Sequence, residues 1–165
     1  MSIFKIILIA LMFQVITGCG FKLQGKHELP EVLKKLTIIA ANTNDPFQKL
    51  LNNSLSQNGV EIIQDSKNIK VTVLEINSPV FNEQISSYDS KGQISQYRLI
   101  ATVSYRLFAT NGDLLRQNTI NKFRNYSVDA NQLLSNFNEQ QIIKEELNIE
   151  IVNELLKHLS KCNPQ

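Results

Sequence analysis

The residues that could carry covalent or acid–base chemistry are few in this 165-residue chain. It has two cysteines, Cys19 and Cys162, and two histidines, His27 and His158, and they form no recognisable catalytic constellation. A metal site would need clustered histidine, cysteine or carboxylate ligands, and no such motif occurs in the sequence. The acidic pair at residues 145–146 falls on a predicted helix and is typical of a solvated face. We therefore expect a protein that is not an enzyme and that uses no cofactor.

The residues around Cys19 indicate a role for this cysteine other than catalysis or metal binding. Residues 6–16 are apolar or small except for Gln14, which suits a secretory signal and is shorter than the roughly 20 residues of a membrane-spanning helix. The run ends in Ile-Thr-Gly before Cys19, which resembles the lipobox of bacterial lipoproteins. The resemblance implies that residues 1–18 are a signal peptide and that Cys19 becomes an N-palmitoyl, S-diacylglycerol cysteine, a stable anchor. Gly20, in place of an aspartate, implies the outer membrane. The alternative is a buried N-terminal helix with a cysteine by chance.

The rest of the chain has the size and composition of one ordinary folded domain. We expect a lipidated N-terminus and short tether at 19–35, a single domain at 36–161 and a tail at 162–165. The net charge of +2 is too small to indicate a nucleic-acid partner. With Cys19 acylated, Cys162 has no partner in the chain, so it is either an incidental thiol at a frayed end or half of an intermolecular disulfide.

The first half of the predicted domain reads as strand, helix and strand. The apolar run at 36–42 predicts a buried strand. A helix follows, because Asp45 can cap it, Pro46 suits its first position and Gly59 suits its end. The alternating stretch at 68–81 predicts a second strand, which Pro79 should end, bend or place at an edge.

The second half predicts a hairpin and a final helix. The alternation at 96–109 is the strongest strand signal, and it follows a turn at 89–92. The Asn-Gly pair within 110–113 favours a type I′ turn, after which an unusually polar strand returns. Apolar residues then recur at helical spacing over about 130–160, as one helix or two, with Asp129 and Asn136 as alternative N-caps.

The order β-α-β-β-β-α predicts an α/β (α+β) two-layer sandwich. A strand-helix-strand opening indicates a parallel pair, and hairpins extend the sheet antiparallel. Both helices must bury an apolar stripe, so we expect two helices on one face of a four-stranded mixed sheet. The other face is then open to solvent.

Cations and aromatic rings alternate along the central strands and the turn before them. The cations are Lys91, Arg98, Arg106, Arg116, Lys122 and Arg124, and the rings are Tyr88, Tyr97, Tyr105, Phe123 and Tyr126. An open sheet face with both would suit a partner with anionic and apolar parts. An ordinary soluble sheet face explains the composition equally well.

Four stretches in order resemble the LPS-assembly lipoprotein family LptE, also called RlpB. They are "GCGFKLQG", "LLNNSLSQNGVEII", "GQISQYRLIATVSYRL" and "KFRNYSVDANQLLSNFNEQQIIKEEL", which span nearly the whole chain after the apolar run. The resemblance implies a fold of two helices on a four-stranded sheet. It also implies a periplasm-facing outer-membrane lipoprotein that plugs the β-barrel LptD, helps it to assemble and takes part in inserting lipopolysaccharide into the outer leaflet.

The resemblance also implies a lipopolysaccharide contact. The candidates are Lys91, Arg98, Lys122 and Arg124, because guanidinium and ammonium groups bind the phosphates of lipid A. The segment before "NEQ" is often lysine-bearing in relatives and reads "LLSNF" here, which places a second contact in doubt. Two other functions stay open: a peptidoglycan-synthase activator, or a pilot for another secretion barrel. The short tether favours the barrel partner.

Overall fold

Three glycines with positive φ, at positions 59, 92 and 112, mark turns in the computed structural model, which describes residues 29–40, 42, 45–64, 71–128 and 133–162. A 3₁₀ turn at Glu31–Leu33 precedes the first strand. The strands are β1 (Lys35–Ala40), β2 (Glu61–Ile62), β3 (Thr72–Ile76), β4 (Val80–Tyr88), β5 (Ile94–Phe108) and β6 (Leu114–Ser127), and the helices are α1 (Pro46–Gln57) and α2 (Leu133–Ser160).

The long strand β5 organises the sheet. Strand β6 pairs antiparallel with nearly its whole length, from Gln96 to Phe108. The opposite edge of β5 is shared, because β4 pairs with its first part and β3 with its last part. Strand β1 then lies parallel to β3, and the short β2 lies parallel to β1. The predicted parallel pair is therefore confirmed.

The expected count of four strands and the order β-α-β-β-β-α are wrong in detail. The described chain has six strand segments in the order β-α-β-β-β-β-β-α. The chain bends at Pro79, between β3 and β4. Both strands nevertheless pair with the same edge of β5, which offers hydrogen-bonding groups along its whole length. The additional strand β2 forms because Gly59 lets the chain turn back alongside β1.

Helix α1 begins and ends where its local signals predict. The Asp45 carboxylate accepts a hydrogen bond from the Phe47 N–H at 3.0 Å, and Pro46 occupies the first helical position. Gly59 has a φ of 81° just after the helix, which an L side chain rarely adopts. The apolar face of the helix buries Phe47, Leu51 and Leu55.

Both hairpin turns have the same geometry, and it is not type I′. The Gly112 N–H donates to the Ala109 carbonyl at 2.9 Å, and the Ala109 N–H donates to the Asp113 carbonyl at 2.8 Å. Gly112 has a positive φ, whereas no non-glycine residue of the described part does, so Asn111 cannot fill a type I′ turn. These bonds define a type I turn followed by a glycine bulge. The turn at Asp89–Gln93 repeats the pattern with Gly92.

Helix α2 is one continuous helix of 28 residues. Asn136 lies inside it and is therefore not its N-cap, while Asp129 lies outside the described residues. The buried stripe of α2 packs on the same face of the sheet as α1, over the residues of β5 that alternate from Leu99 to Leu107. We call this side the covered face.

The core extends to both ends of the described chain. Leu29 and Leu33, which fall in the predicted tether, are buried with the sheet and helices, so packing begins before residue 36. Cys162 is buried as well. Its thiol is therefore not at a frayed surface, and a disulfide with another molecule would require the end of α2 to move. The predicted signal peptide, Cys19 and His27 lie outside the described residues.

Candidate binding surfaces

The open face of the sheet consists of the β3 to β6 side chains that point away from the helices. Cross-strand hydrogen bonds join them in pairs: Thr102 Oγ1 donates to Asn121 Oδ1 at 2.7 Å, and the Ser104 and Thr119 hydroxyls lie 2.8 Å apart. These bonds hold polar groups in fixed positions on a solvated surface. The open face is therefore an ordered polar surface.

A shallow groove of about 570 Å³ crosses this face. Its lining includes Ile39, Glu75, Asn77, Ser104, Arg106 and Thr119. The Arg106 guanidinium forms an ion pair with the Glu75 carboxylate at 2.6 Å, so the one cation predicted at this position is neutralised within the groove. The groove has a mixed polar and apolar lining, and its charges balance.

Lys91 lies at the tip of the β4–β5 hairpin. Asp89 holds the turn, because its carboxylate accepts hydrogen bonds from the backbone N–H groups of Lys91 and Gln93, both at 2.8 Å. The Lys91 side chain is exposed, and within the described residues no carboxylate lies within ion-pair distance of its ammonium group. The ammonium group is available to an anion from outside the chain.

Arg98 lies on the open face, near the start of β5. Its guanidinium lies over the Phe123 ring at 4.8 Å, and its Nε donates to Asn125 Oδ1 at 3.0 Å. These contacts fix the side chain but leave its charge without a carboxylate partner in the part of the chain that the structure describes. Arg98 is six positions after Gly92 along an extended chain, so Arg98 lies roughly 20 Å from the turn that carries Lys91.

Lys122 and Arg124 are on the covered face, not with Arg98. The Lys122 ammonium lies 3.4 Å from the Glu154 carboxylate, and Arg124 pairs with Glu150 and, at 3.9 Å, with Glu146. All three glutamates belong to α2. The structure therefore splits the four predicted contact residues: Lys91 and Arg98 have charges open to solvent, whereas Lys122 and Arg124 attach α2 to β6.

The cations of the covered face also lower the pKa of Glu154, their partner on α2. Burial raises the pKa of the Glu154 carboxyl, but the neighbouring Lys122, Lys157 and His158 outweigh it and hold that pKa below its usual value. The His158 Nε2 lies 3.3 Å from Glu154. Its Nδ1 lies 3.1 Å from the Tyr105 hydroxyl, which links the helix to the last part of β5.

Burial raises the pKa of two neighbouring groups near the end of α2. It raises the pKa of the Tyr105 hydroxyl and that of the Cys162 thiol, although Arg116 opposes both shifts. Arg116 also donates to the His158 carbonyl at 2.8 Å. The Cys162 thiol is therefore a poor nucleophile, which agrees with a structural position.

A second polar cluster was not visible in the sequence. The Tyr126 hydroxyl donates to the Glu83 carboxylate, and the Gln140 side chain donates to both of them, at 3.1 Å to Glu83 and 3.3 Å to Tyr126. The cluster connects β4, β6 and α2 at the Lys91 end of the molecule. No sequence pattern indicates it, since the three residues come from separate elements.

Neither a metal cluster nor a membrane helix appears in the described part of the chain. Its histidine, cysteine and carboxylate side chains do not gather in a group able to hold a metal ion. No helix within residues 29–162, as far as they are described, is long and apolar enough to cross a bilayer.

Solved structures define the class of fold. The chain superposes on rare lipoprotein B from Shewanella oneidensis with a TM-score of 0.68 at 21% identity, covering 76% of this chain and 93% of that one. It also superposes on a minor lipoprotein from Acinetobacter baumannii with a TM-score of 0.64 at 19% identity, covering 79% and 93%. The fold of the described residues, two helices on a mixed sheet, is thus shared with these lipoproteins.

The sequence comparison identifies the family within that class. The profile of LptE, described as lipopolysaccharide-assembly, matches residues 33–159, and the chain belongs to this family. It is 26% identical over 155 residues to the LPS-assembly lipoprotein LptE of Photorhabdus laumondii, covering 93% of this chain and 83% of that protein. It is 23% identical over 153 residues to the one of Yersinia enterocolitica, covering 93% and 73%. The resemblance seen in the sequence is confirmed.

Proposed function

We propose that this chain is an outer-membrane lipoprotein that occupies the lumen of the LptD β-barrel from the periplasmic side, supports its assembly and takes part in lipopolysaccharide insertion. The family match over residues 33–159 carries the proposal, because lipopolysaccharide assembly is the process that the family's description names. The lipobox-like residues before Cys19 support a lipid anchor. No catalytic role is required of the chain.

The direction of β5 supports a defined orientation relative to that anchor. The start of β1 pairs with β3 beside Phe108, so the chain enters the fold near the Ala109–Asp113 turn. Lys91 lies beyond the opposite end of β5, which at 15 residues is roughly 50 Å long. An anchor at Cys19 would therefore hold one end of the domain near the lipid and direct the Lys91 turn away from it.

Lys91 and Arg98 are the residues that we propose for contact with lipopolysaccharide phosphates. Both charges are open to solvent, and neither has a carboxylate partner among the described residues. A phosphate can take charge-assisted hydrogen bonds from either group. Lys122 and Arg124 have already formed such bonds with α2, so their proposed part is to keep the helix in place.

The barrel partner is tested by affinity recovery from detergent-extracted outer membranes. The lipidated, tagged chain should recover one large β-barrel protein in an amount close to one to one. Recovery of no barrel would refute the plug, and recovery of a peptidoglycan synthase or a different secretion barrel would establish one of the alternatives. The two alternatives rest on the lipobox-like start and a small α/β body, whereas the family match over most of the chain favours the role in lipopolysaccharide assembly.

The lipid contact is tested with charge reversals that leave the core untouched. Lys91→Glu should weaken binding of purified lipopolysaccharide roughly tenfold, since a lost ion pair becomes a repulsion. Lys49→Glu is the matched control, because Lys49 is exposed on α1 and the change of charge is identical. Arg98→Gln should weaken binding without changing the fold, since glutamine can still reach Asn125. Equal binding by the Lys91 and Lys49 variants would remove Lys91 from the site.

A further inference from the structure

The end of the β4–β5 hairpin extends beyond the rest of the sheet. Towards the start of β5, strand β6 pairs with it as far as Gln96, and the Val128 N–H adds a bond to the Ser95 carbonyl at 3.0 Å. From there to the turn that carries Lys91, β5 pairs with β4 alone in the part of the chain that the structure describes. We call residues 87–95 the projecting hairpin. A two-stranded hairpin has little stability of its own, so its direction depends on what holds its base.

The projecting hairpin is ordered internally by its own hydrogen bonds. The Asp89 carboxylate holds the turn through the N–H groups of Lys91 and Gln93, and the Ser87 and Ser95 hydroxyls lie 2.7 Å apart across the strands. The register of β4 shifts on both sides of Ser87, at the base of the hairpin. Such irregularities bend a strand and change its direction. The hairpin can therefore turn as a unit about its base.

Polar contacts, rather than apolar packing, attach β4 to the helix layer near this base. None of the nine residues of β4 is fully buried, and of its apolar residues Phe81 alone packs partly against the core. The Glu83 carboxylate accepts a hydrogen bond from the Tyr126 hydroxyl, and the Gln140 amide donates to both of them. We call these three residues the Glu83 cluster. It connects β4 to β6 and α2 just before the register shifts begin.

The Tyr126 side chain crosses the central strand to reach Glu83. Strand β5 lies between β4 and β6, so the backbones of the two residues are at least about 10 Å apart. The Tyr126 ring is 6% exposed and lies 6.0 Å from the Tyr97 ring of β5, so it has little freedom to move. The Glu83 carboxylate forms no ion pair among the described residues. Its hydrogen bonds to the cluster are therefore an oriented attachment for β4.

We propose that Glu83, Tyr126 and Gln140 are positioning residues for the Lys91 contact, because they fix the direction in which the projecting hairpin presents its ammonium group. The inference rests on the proposed contact between Lys91 and lipopolysaccharide. Glu83 lies six residues before Asp89, roughly 20 Å along the strand, so the cluster does not reach a phosphate that Lys91 binds. An effect of the cluster on that contact therefore acts through the position of the hairpin.

Removal of one hydroxyl tests the cluster with the least disturbance. Tyr126→Phe should raise the Kd for purified lipopolysaccharide about threefold, since the hairpin is then free to take other directions. Tyr97→Phe is the matched control, because it removes a hydroxyl from the neighbouring ring, and that hydroxyl makes no hydrogen bond within the described residues. Urea unfolding midpoints establish that both variants fold. Equal losses of affinity in the two variants would overturn the inference.

Two substitutions of Glu83 separate hydrogen bonding from charge. Glu83→Gln and Glu83→Leu both remove the carboxylate charge, but glutamine keeps an oxygen that can accept from the Tyr126 hydroxyl. Glu83→Gln should therefore bind lipopolysaccharide about threefold more tightly than Glu83→Leu. Equal affinities of these two variants would show that the hydrogen bonds of the cluster do not position the hairpin.

A double-mutant cycle separates positioning from an independent lipid contact. In the Lys91→Glu background, Tyr126→Phe should change the Kd by less than about 1.5-fold, because no favourable contact is left to position. Equal effects of Tyr126→Phe in both backgrounds would mean that the cluster acts independently of Lys91, and the inference would be wrong. If wild type and Lys91→Glu bind equally, the proposed lipid contact fails, and this inference fails with it. If Lys91→Glu binds more weakly but Tyr126→Phe binds like wild type, only the positioning role is wrong.

The position of the hairpin can also be measured without lipid. Nitroxide labels on Ser90→Cys and Glu145→Cys, both at exposed positions, report the distance between the turn and α2. The native Cys162 is buried and should label poorly. Tyr126→Phe should broaden the distribution of label distances, whereas Tyr97→Phe should leave it as narrow as in the wild-type chain. An unchanged distribution in Tyr126→Phe would contradict a positioning role for the cluster.

Discussion

The two faces of β5 show how one strand can serve the fold on one side and recognition on the other. On the covered face, Leu99, Val103 and Leu107 are almost completely buried under the helices. On the open face, Arg98, Thr102 and Ser104 instead bond across to polar residues of β6. Because side chains alternate strictly along a strand, changes on one face can be made without altering the other. The covered face is therefore expected to control stability, and the open face to control binding.

The largest expected effect tests this division directly. Leu107→Ala leaves a cavity beneath α2 and should lower the free energy of unfolding by about 3 kcal/mol. Thr102→Ala, five residues earlier on the opposite face, removes one exposed hydrogen bond and should cost about 1 kcal/mol or less. Urea denaturation of both variants measures the contrast. Similar losses for the two would mean that the open face also holds the fold together.

The same alternation explains how much of the fold the sequence predicts. The alternating pattern of β5 and the cap, proline and glycine of α1 are local signals, and the structure confirms both elements. Strand β4 was not predicted beyond residue 81, because its side chains are mostly polar and exposed. Its place in the sheet comes from the hydrogen-bonding edge that β5 supplies, which only the folded chain provides. Likewise, Asn-Gly predicted a turn correctly but not its type.

The candidate site was predicted in composition but not in arrangement. The sequence identified the four cations, and no local signal separates those with a partner from those without. Arg98 and Arg124 are both strand arginines, yet only Arg124 faces α2. That difference depends on which face of the sheet each arginine occupies and on α2, which covers only one of the two faces.

A smaller effect should appear at the ion pairs of the covered face. A double-mutant cycle of Arg124→Gln and Glu150→Gln should give a coupling free energy of about 0.5–1 kcal/mol, since both side chains are partly exposed. The nearby Glu146 should retain part of the interaction in the Glu150 variant. Arg98→Gln combined with Glu150→Gln is the control, and the two changes should be additive. Coupling as small as in the control would show that Arg124 does not hold α2, and would return it to the set of possible lipid contacts.

The smallest expected effect is the pH dependence that Glu154 adds to stability. Because the pKa of its carboxyl is lowered in the folded chain, the ionised form is stabilised by folding. That contribution is present above the ordinary value of 4.5 and is lost as the pH falls below it, when the carboxyl becomes protonated and its attraction to Lys122 ends. Wild type should therefore lose more free energy of unfolding than Glu154→Gln between about pH 6 and pH 3. Glu139→Gln is the matched control, because Glu139 is exposed on the same helix and has no ion pair among the described residues. Its urea-midpoint curve against pH should run closer to wild type than that of Glu154→Gln. Parallel curves for wild type and Glu154→Gln would mean that the cations of the covered face do not stabilise the helix through Glu154.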